Sequence, residues 1–250
     1  MDSIAIPLRL RLSRFLYPLF CDRGFAMNPE PLHASLIETL SLIMVITSVA
    51  AVEMRRLKFA AVAYLCQALL IVGLLLGFAT VNRALYWWAA TALVTKAILT
   101  PWFLFRSIRG TDDRELKPVI GFGPSVIVAA LLMLGFFRLT HGQVTLLAPT
   151  EMAQLGVFRT NLAVASTVFA LGLYAVLTRR DAIKTVIGLC LLENGVHLSL
   201  VSLAPELPET ALFGVATEVV VTVFLLLYVI GGVRQQFGST DTFKLRELRW

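Results

Sequence analysis

Long apolar runs recur along this chain and are separated by short polar connections. A helix needs about 20 residues to cross roughly 30 Å of hydrocarbon at 1.5 Å per residue. Runs of about this length predict an all-α, polytopic membrane helix bundle of about seven transmembrane helices. The predicted spans are 35–52, 59–80, 84–105, 119–137, 162–177, 185–203 and 211–233. The longest connection, 138–161, has room for a short surface helix.

Composition supports the same class of protein. The chain is 58% hydrophobic and 15% charged, whereas soluble domains are about 25% charged. A net charge of +6 is typical of some nucleic-acid-binding proteins, but in a membrane protein it is better explained by basic cytoplasmic connections. We therefore expect the lipid bilayer as surroundings and no nucleic acid partner.

The basic residues are distributed unevenly between the two sides. Three lie in the connections of one side, namely Arg83, Arg138 and Arg159. Fourteen lie in the alternate connections and the tail, namely Arg55, Arg56, Lys58, Arg106, Arg109, Arg114, Lys117, Arg179, Arg180, Lys184, Arg234, Lys244, Arg246 and Arg249. The positive-inside rule places the fourteen in the cytoplasm. Seven spans then put the N-terminus outside and the C-terminus in the cytoplasm.

Residues 1–26 do not fit this pattern, since they carry four arginines among apolar pieces too short to span. They are open to three interpretations: an amphipathic surface segment, a poor signal peptide, or a misassigned start with Met27 as the true first residue. The positive-inside count favours Met27, because residues 28–33 carry no Lys or Arg. We divide the chain into this extension, a four-helix part at 27–160, and a three-helix part with a cytoplasmic tail at 161–250.

The sixth span contains several polar residues on one helical face. Cys190, Glu193, Asn194 and His197 have the spacing i, i+3, i+4, i+7. A charge at the bilayer centre costs roughly 2.5–3.5 kcal/mol on insertion scales, so such residues are usually functional. Glu193 and His197 are close enough to share a proton directly or through a water. The alternative is a structural role, in which both groups join helices by hydrogen bonds.

The remaining polar residues of the spans extend this hypothesis. Glu218 lies in the seventh span with Thr222 four residues later, and is predicted to be stepped in depth relative to Glu193. Lys96 lies at mid-length in the third span, ahead of Pro101, which is expected to kink the helix. It is too central to reach the interface, so it needs a carboxylate or a wet cavity. The candidate carboxylates are Glu193, Glu218 and one on a partner subunit.

Two weaker features complete the pattern. Gln67 in the second span either bonds across helices or faces the ion path. Trp88, with its aromatic neighbours, is placed in an interfacial belt.

No catalytic motif is recognisable. The chain has no Walker loop, HExxH, GxSxG or haem attachment motif. Its three cysteines are scattered without CxxC spacing. We predict no catalytic residue, no cofactor and no metal site, and no enzymatic activity of this chain alone.

The last three spans resemble subunit K of respiratory complex I. The resemblance rests on the Leu-Thr-Arg-Arg-Asp sequence of 177–181, the Ile-Gly-Leu of 187–189 followed by Asn194, the helix of Glu218, and the tail at 245–249. In that family, glutamates of the second and third helices belong to the ion path. Glu218 matches the second glutamate. The first aligns with Cys190, and this chain has its carboxylate one turn later at Glu193.

From Met27 onwards the chain resembles hydrogenase-4 component E, a larger relative with additional N-terminal helices. Gln67, Lys96 before a proline, and the Glu-Asn-Gly sequence of 193–195 carry this resemblance. It implies a membrane subunit of a complex I-like or group 4 hydrogenase-like complex, packed between antiporter-like subunits, with soluble iron–sulfur or hydrogenase-like subunits supplying the redox chemistry.

The resulting hypothesis is proton (or sodium) translocation through Glu193, His197, Glu218 and Lys96, supported by Asn194, Gln67 and Thr222. Three alternatives stay open: a subunit of a non-redox antiporter-like or ion-coupled uptake complex, a purely structural scaffold subunit, and an autonomous secondary transporter. The lack of evident inverted repeats argues mildly against the last.

Overall fold

The computed structural model describes residues 34–80, 83–109, 111, 113–147, 151–203 and 209–242. Within these ranges the chain is helical, apart from turns and two isolated bridges. The helices are α1 (Ala34–Glu53), α2 (Leu57–Phe78), α3 (Ala84–Ile108), α4 (Phe122–Gly142), α5 (Val144–Leu147), α6 (Glu151–Gln154), α7 (Gly156–Thr178), α8 (Ala182–Leu203) and α9 (Glu209–Phe237).

The predicted membrane bundle is confirmed. In the described part of the chain, six helices are long and apolar enough to cross a membrane, and Val220–Gln236 within α9 forms a shorter apolar segment. The extension 1–26, the leader 28–33, the connection 204–208 and the tail 243–250 lie outside the described residues. The two short helices α5 and α6 occupy the predicted surface position between the fourth and fifth spans. The side of the membrane on which each terminus lies stays a prediction.

Three helix starts differ from the sequence prediction by three residues or more, those of α4, α7 and α8; helix α8 begins at Ala182 rather than 185. Helix α4 begins at Phe122 rather than 119, after the cap residue Gly121, because Pro118 and Gly121 disfavour helical backbone ahead of it. Helix α7 begins six residues earlier than predicted. Its added first turns are held inside the bundle, where Asn161 donates hydrogen bonds to the Leu198 carbonyl at 2.9 Å and the Ser202 hydroxyl at 2.8 Å.

Helices α7 and α8 form the centre of the bundle and approach each other closely. Gly172, Gly188 and Gly195 lie at their contact, where backbone meets backbone. A methyl group at Gly195 would lie 2.6 Å from the Phe169 nitrogen, and one at Gly188 would lie 2.9 Å from the Ala175 Cβ. Small residues permit this approach, and close van der Waals packing is the main attraction between helices in lipid.

The outer helices are less covered than this centre. Helix α4 buries little of its surface, and apolar side chains such as Ile127, Leu131 and Leu134 are exposed. Helix α9 contacts α3 and α8 but leaves Val221 and Leu225 exposed. These apolar faces are available to lipid or to neighbouring subunits.

The glycine contacts predict a difference between matched substitutions. We expect Gly195→Ala and Gly172→Ala to lower the thermal stability of the detergent-solubilised protein by several degrees, because the added methyl group would meet backbone atoms that cannot move aside. Gly135→Ala, in α4 with no atom within 4 Å of the added methyl, is the control and should leave the stability unchanged or slightly raised. Equal melting temperatures for all three variants would contradict the close contact.

Candidate functional site

Lys96 lies at the middle of α3, in a segment that departs from α-helical geometry. Residues Leu93–Leu99 form a π-helix, and the Thr100 N–H donates to the Thr95 carbonyl five residues back. The Thr100 hydroxyl bonds the same carbonyl at 2.9 Å. Pro101 has no N–H, so the α-helical ladder cannot continue through it. Single π turns of this kind are frequent at functional sites.

Three polar groups of α8 surround the buried Lys96 ammonium. Its Nζ lies 2.7 Å from Asn194 Oδ1, 3.0 Å from Glu193 Oε1 and 2.5 Å from His197 Nδ1. An ammonium has three N–H donors and no acceptor; here it donates to Asn194 Oδ1 and His197 Nδ1 and forms an ion pair with the Glu193 carboxylate. We call Lys96, Glu193, Asn194 and His197 the Lys96 site. His197 Nδ1 accepts here, which assigns a neutral imidazole with its proton on Nε2.

The carboxylate partner that the sequence suggested for Lys96 is therefore Glu193. Glu193 Oε1 also lies 3.3 Å from His197 Nδ1, as their i, i+4 spacing predicted. Lys96 contacts both groups, so the three titratable side chains form one cluster instead of a Glu–His pair. Lys96 and His197 are buried, whereas the side chain of Glu193 is 25% exposed. Glu193 is thus where the cluster opens to the surface of this chain.

A chain of hydrogen bonds extends from the Lys96 site across two further helices. The Asn194 amide donates to Gln67 Oε1 at 3.5 Å, and Gln67 Nε2 donates to the Ser48 hydroxyl at 2.6 Å. Ser48 in turn donates to the Met44 carbonyl at 2.7 Å. All donors point the same way, away from the ammonium. Of the two possibilities left open for Gln67, the structure shows the bond across helices.

Trp88 does not lie in the predicted aromatic belt. Its side chain is buried, and its ring stands edge-on to the His197 ring at a centroid distance of 5.6 Å. Tyr86 and Trp87 are exposed, as a belt requires. The missed signal is the eight-residue spacing from Trp88 to Lys96, which places both on one side of a helix. Trp88 closes the Lys96 site on the side of His197.

Glu218 and Thr222 lie on an exposed face of α9, outside the Lys96 site. Glu218 forms no ion pair with another described residue, although it is near enough to Glu193 to interact with it electrostatically. Thr222 is likewise exposed. The structure therefore brings together Lys96, Glu193, Asn194, His197 and Gln67. It leaves Glu218 and Thr222 on the adjacent open surface.

A second group of charged residues was not anticipated as a site. From the sequence, Arg179 and Lys184 were assigned to the connections between spans, and no role was predicted for Glu53 or Glu115. All four side chains are buried at one end of the bundle, where α1 and α7 end and α8 begins. Arg179 Nη2 lies 2.7 Å from Glu53 Oε1, and its Nη1 lies 3.4 Å from Glu115 Oε1. We call these four residues the helix-end cluster.

Two features hold the helix-end cluster in place. Lys184 Nζ donates to the carbonyls of Ala51 and Val52 at 2.9 Å each, so its charge also stabilises the C-terminal end of α1. The Glu115 carboxyl lies 3.8 Å from Lys184. Burial raises the pKa of Glu115 above its ordinary value, and the neighbouring Lys184 and Arg179 oppose this rise. A sequence signal for the cluster was available: Glu53 ends the first span, and the basic residues Arg179 and Lys184 come just before the sixth.

The fold and these sites together define a multi-pass membrane protein with an ion pair near the middle of two of its membrane-spanning helices, α3 and α8. In the described residues, no three His, Cys, Asp or Glu side chains come together as a metal ion would require.

Comparison with known proteins narrows this class. Residues 160–250 match the sequence model of the family described as NADH-ubiquinone/plastoquinone oxidoreductase chain 4L. The chain is also similar to hydrogenase-4 component E of Escherichia coli, with 27% identity over 221 residues that cover 86% of this chain and 97% of the relative. Uncharacterized protein Rv0085 of Mycobacterium tuberculosis is 29% identical over 184 residues, 73% of this chain and 80% of that protein. No solved structure matches. The two resemblances seen in the sequence are thereby confirmed.

The helix-end cluster predicts a large loss of stability when its cation is removed. Arg179→Met should destabilise the protein by about 3–5 kcal/mol, because Glu53 and Glu115 would stay buried without the guanidinium. Lys58→Met is the control, since its side chain is 58% exposed and its ammonium lies 4.0 Å from Asp113; it should cost less than about 1 kcal/mol. Denaturant unfolding in detergent measures both values. Similar losses for the two variants would contradict the structural role of the cluster.

Proposed function

We propose that the chain is a membrane subunit of a complex I-like or group 4 hydrogenase-like complex of a bacterial inner membrane, and that it carries part of a proton (or sodium) path. The observation that supports this proposal most is the Lys96–Glu193 ion pair near the middle of helices α3 and α8, joined to His197 and opening at Glu193. Buried charges in membrane helices are costly and usually serve ion pathways. The similarity to hydrogenase-4 component E and the chain 4L match support the kind of complex.

The geometry suggests how the path works. While Glu193 is ionised, it balances the Lys96 ammonium at 3.0 Å. A proton arriving at Glu193 from its exposed side removes this balance and leaves a buried, uncompensated cation, which is strongly unfavourable. Lys96 then passes a proton to His197 Nδ1, which accepts from it in the resting arrangement. The cluster thus couples protonation of Glu193 to movement of charge toward His197.

Glu218 has the position of an entry or exit group in this scheme. It lies on the exposed face of α9 and interacts electrostatically with Glu193. A carboxylate on an apolar membrane face needs a polar partner, because lipid cannot solvate it. We therefore propose that an antiporter-like subunit packs against this face and continues the path from Glu218. Asn194 and Gln67 act as positioning residues, since the Asn194 amide holds Lys96, the Gln67 amide holds Asn194, and neither exchanges protons readily.

Substitution of the carboxylates tests the path. In membranes containing the assembled complex, Glu193→Gln and Glu218→Gln should each reduce coupled ion transport by roughly a hundredfold, the lower end of what a positioned proton-transfer group contributes. Glu38→Gln in α1 is the matched control, because it removes a carboxylate from a membrane helix outside the Lys96 site. Native gels check that every variant assembles. If both variants assemble and transport like the wild type, the chain is a structural scaffold and the proposed path is wrong.

Purification of the tagged chain in mild detergent tests the proposed complex. We expect mass spectrometry to find antiporter-like membrane subunits together with iron–sulfur or nickel hydrogenase-like proteins. If antiporter-like partners are found without redox proteins, the chain belongs to an antiporter-like or ion-coupled uptake complex instead of a redox complex. A homo-oligomer without partners would contradict both and favour an autonomous transporter.

A further inference from the structure

A cleft rich in basic residues lies near the ends of α2, α3 and α9, away from the Lys96 site. Its volume is about 1170 Å³. Five cationic side chains line it, namely Arg56, Arg109, Arg114, Lys117 and Arg234. None of them forms an ion pair with another residue that the structure describes. Arg234 Nη1 donates to the Thr111 hydroxyl at 3.1 Å and joins α9 to the connection after α3.

The carboxylates in the wall of the cleft are engaged elsewhere. Asp113 lies 4.0 Å from Lys58, and Glu115 pairs with Arg179 and Lys184 in the helix-end cluster. Asp181 accepts a hydrogen bond from the Ile183 backbone N–H at 2.9 Å, which caps α8. The charge presented to the cleft is therefore strongly positive, and its complement is an anion.

A groove with many aromatic and aliphatic side chains continues from this cleft between α3 and α9, and Arg106, Ser107 and Gln235 also line it. It has a volume of about 1120 Å³ and shares Thr111, Arg234, Gly238 and Thr240 with the cleft. Its walls carry aromatic rings, with Trp102 and Tyr228 largely exposed and Phe103 against Phe224 at a centroid distance of 5.4 Å. Trp102 precedes Arg109 by seven residues and Tyr228 precedes Arg234 by six, or about 9–11 Å along the helix axis.

We propose that the cleft and groove together bind one anionic phospholipid. The phosphate lies among Arg109, Arg114 and Arg234, and an acyl chain follows the groove past Trp102. A free anion would explain the cleft but not its continuation into an aromatic groove, and an acidic protein segment would not need an apolar channel at membrane depth. Basic pockets between membrane helices at the cytoplasmic side are known to hold anionic lipid headgroups.

The test uses the full chain in nanodiscs of phosphatidylcholine. Phosphatidylglycerol with brominated acyl chains is added in steps, and quenching of tryptophan fluorescence reports acyl chains near Trp102. We expect quenching to saturate at a low mole fraction of phosphatidylglycerol and most of it to disappear in Trp102→Phe. Brominated phosphatidylcholine, the zwitterionic comparison, should quench without saturating. Equal behaviour of the two lipids would overturn the proposal.

Charge variants distinguish lipid binding in the cleft from a general effect of surface charge. Arg109→Gln combined with Arg114→Gln should shift the half-saturating mole fraction roughly thirtyfold, since each basic residue near anionic lipid contributes about a factor of five to ten. The control, Arg83→Gln combined with Arg138→Gln, removes the same charge at the opposite helix ends. It should leave the half-saturating mole fraction unchanged. Size-exclusion profiles exclude misfolding. Equal shifts in the two pairs would overturn the proposal.

Two further outcomes exclude other occupants. Competition by soluble glycerol phosphate as effective as that by the lipid would show a free-anion site and overturn lipid binding. In the assembled complex, native mass spectrometry should detect phosphatidylglycerol retained by the wild type and lost with the Arg109 and Arg114 substitutions. Cross-links from the groove to a protein subunit, without retained lipid, would show that a partner fills it instead.

Discussion

The placement of one ammonium group at the middle of a membrane helix constrains much of this bundle. Because lipid offers Lys96 neither an acceptor nor a counter-charge, the protein must supply both, and α8 provides two hydrogen-bond acceptors and one carboxylate. Helix α8 must then be held at a fixed distance and rotation, which the close contact with α7 at Gly172 and Gly195 provides. The hydrogen-bond chain through Gln67 and Ser48 ties the same charge to α2 and α1. Four helices are thus arranged around a single charge.

The membrane class and the main polar residues could be predicted from the sequence, because hydrophobic length and intramembrane charge are local signals. The face shared by Glu193, Asn194 and His197 follows from helical spacing alone. The partner of Lys96 did not follow, since pairing between residues about a hundred positions apart depends on which helices pack together. The burial and pairing of Arg179 and Lys184 did not follow from the sequence for a related reason. Basic residues beside a span resemble connection charges until the fold shows that Glu53 and Glu115 meet them.

The structure separates a tightly packed interior from an open periphery, and the candidate path crosses between them. Lys96 and His197 are fixed among buried helices, whereas Glu193 is partly exposed and Glu218 lies on an open face of α9. A rigid interior suits groups whose mutual distances must stay constant for proton exchange. An open face suits a path that continues into another polypeptide. The similarity to subunits of larger membrane assemblies is consistent with this division.

The π-helical segment limits the insertions and deletions that α3 can tolerate. Its five-residue hydrogen-bond spacing accommodates about one residue more than an α-helix over the same rise, and one residue corresponds to a rotation of roughly 100°. Deleting a single residue between Leu93 and Leu99 would restore a regular helix but turn Trp102 and the rest of the C-terminal half to a different side. Substitutions in this segment leave the side chains of α3 directed to the same sides, whereas insertions and deletions rotate the C-terminal half. Length, more than residue identity, is therefore the conserved quantity to look for in this segment among related chains.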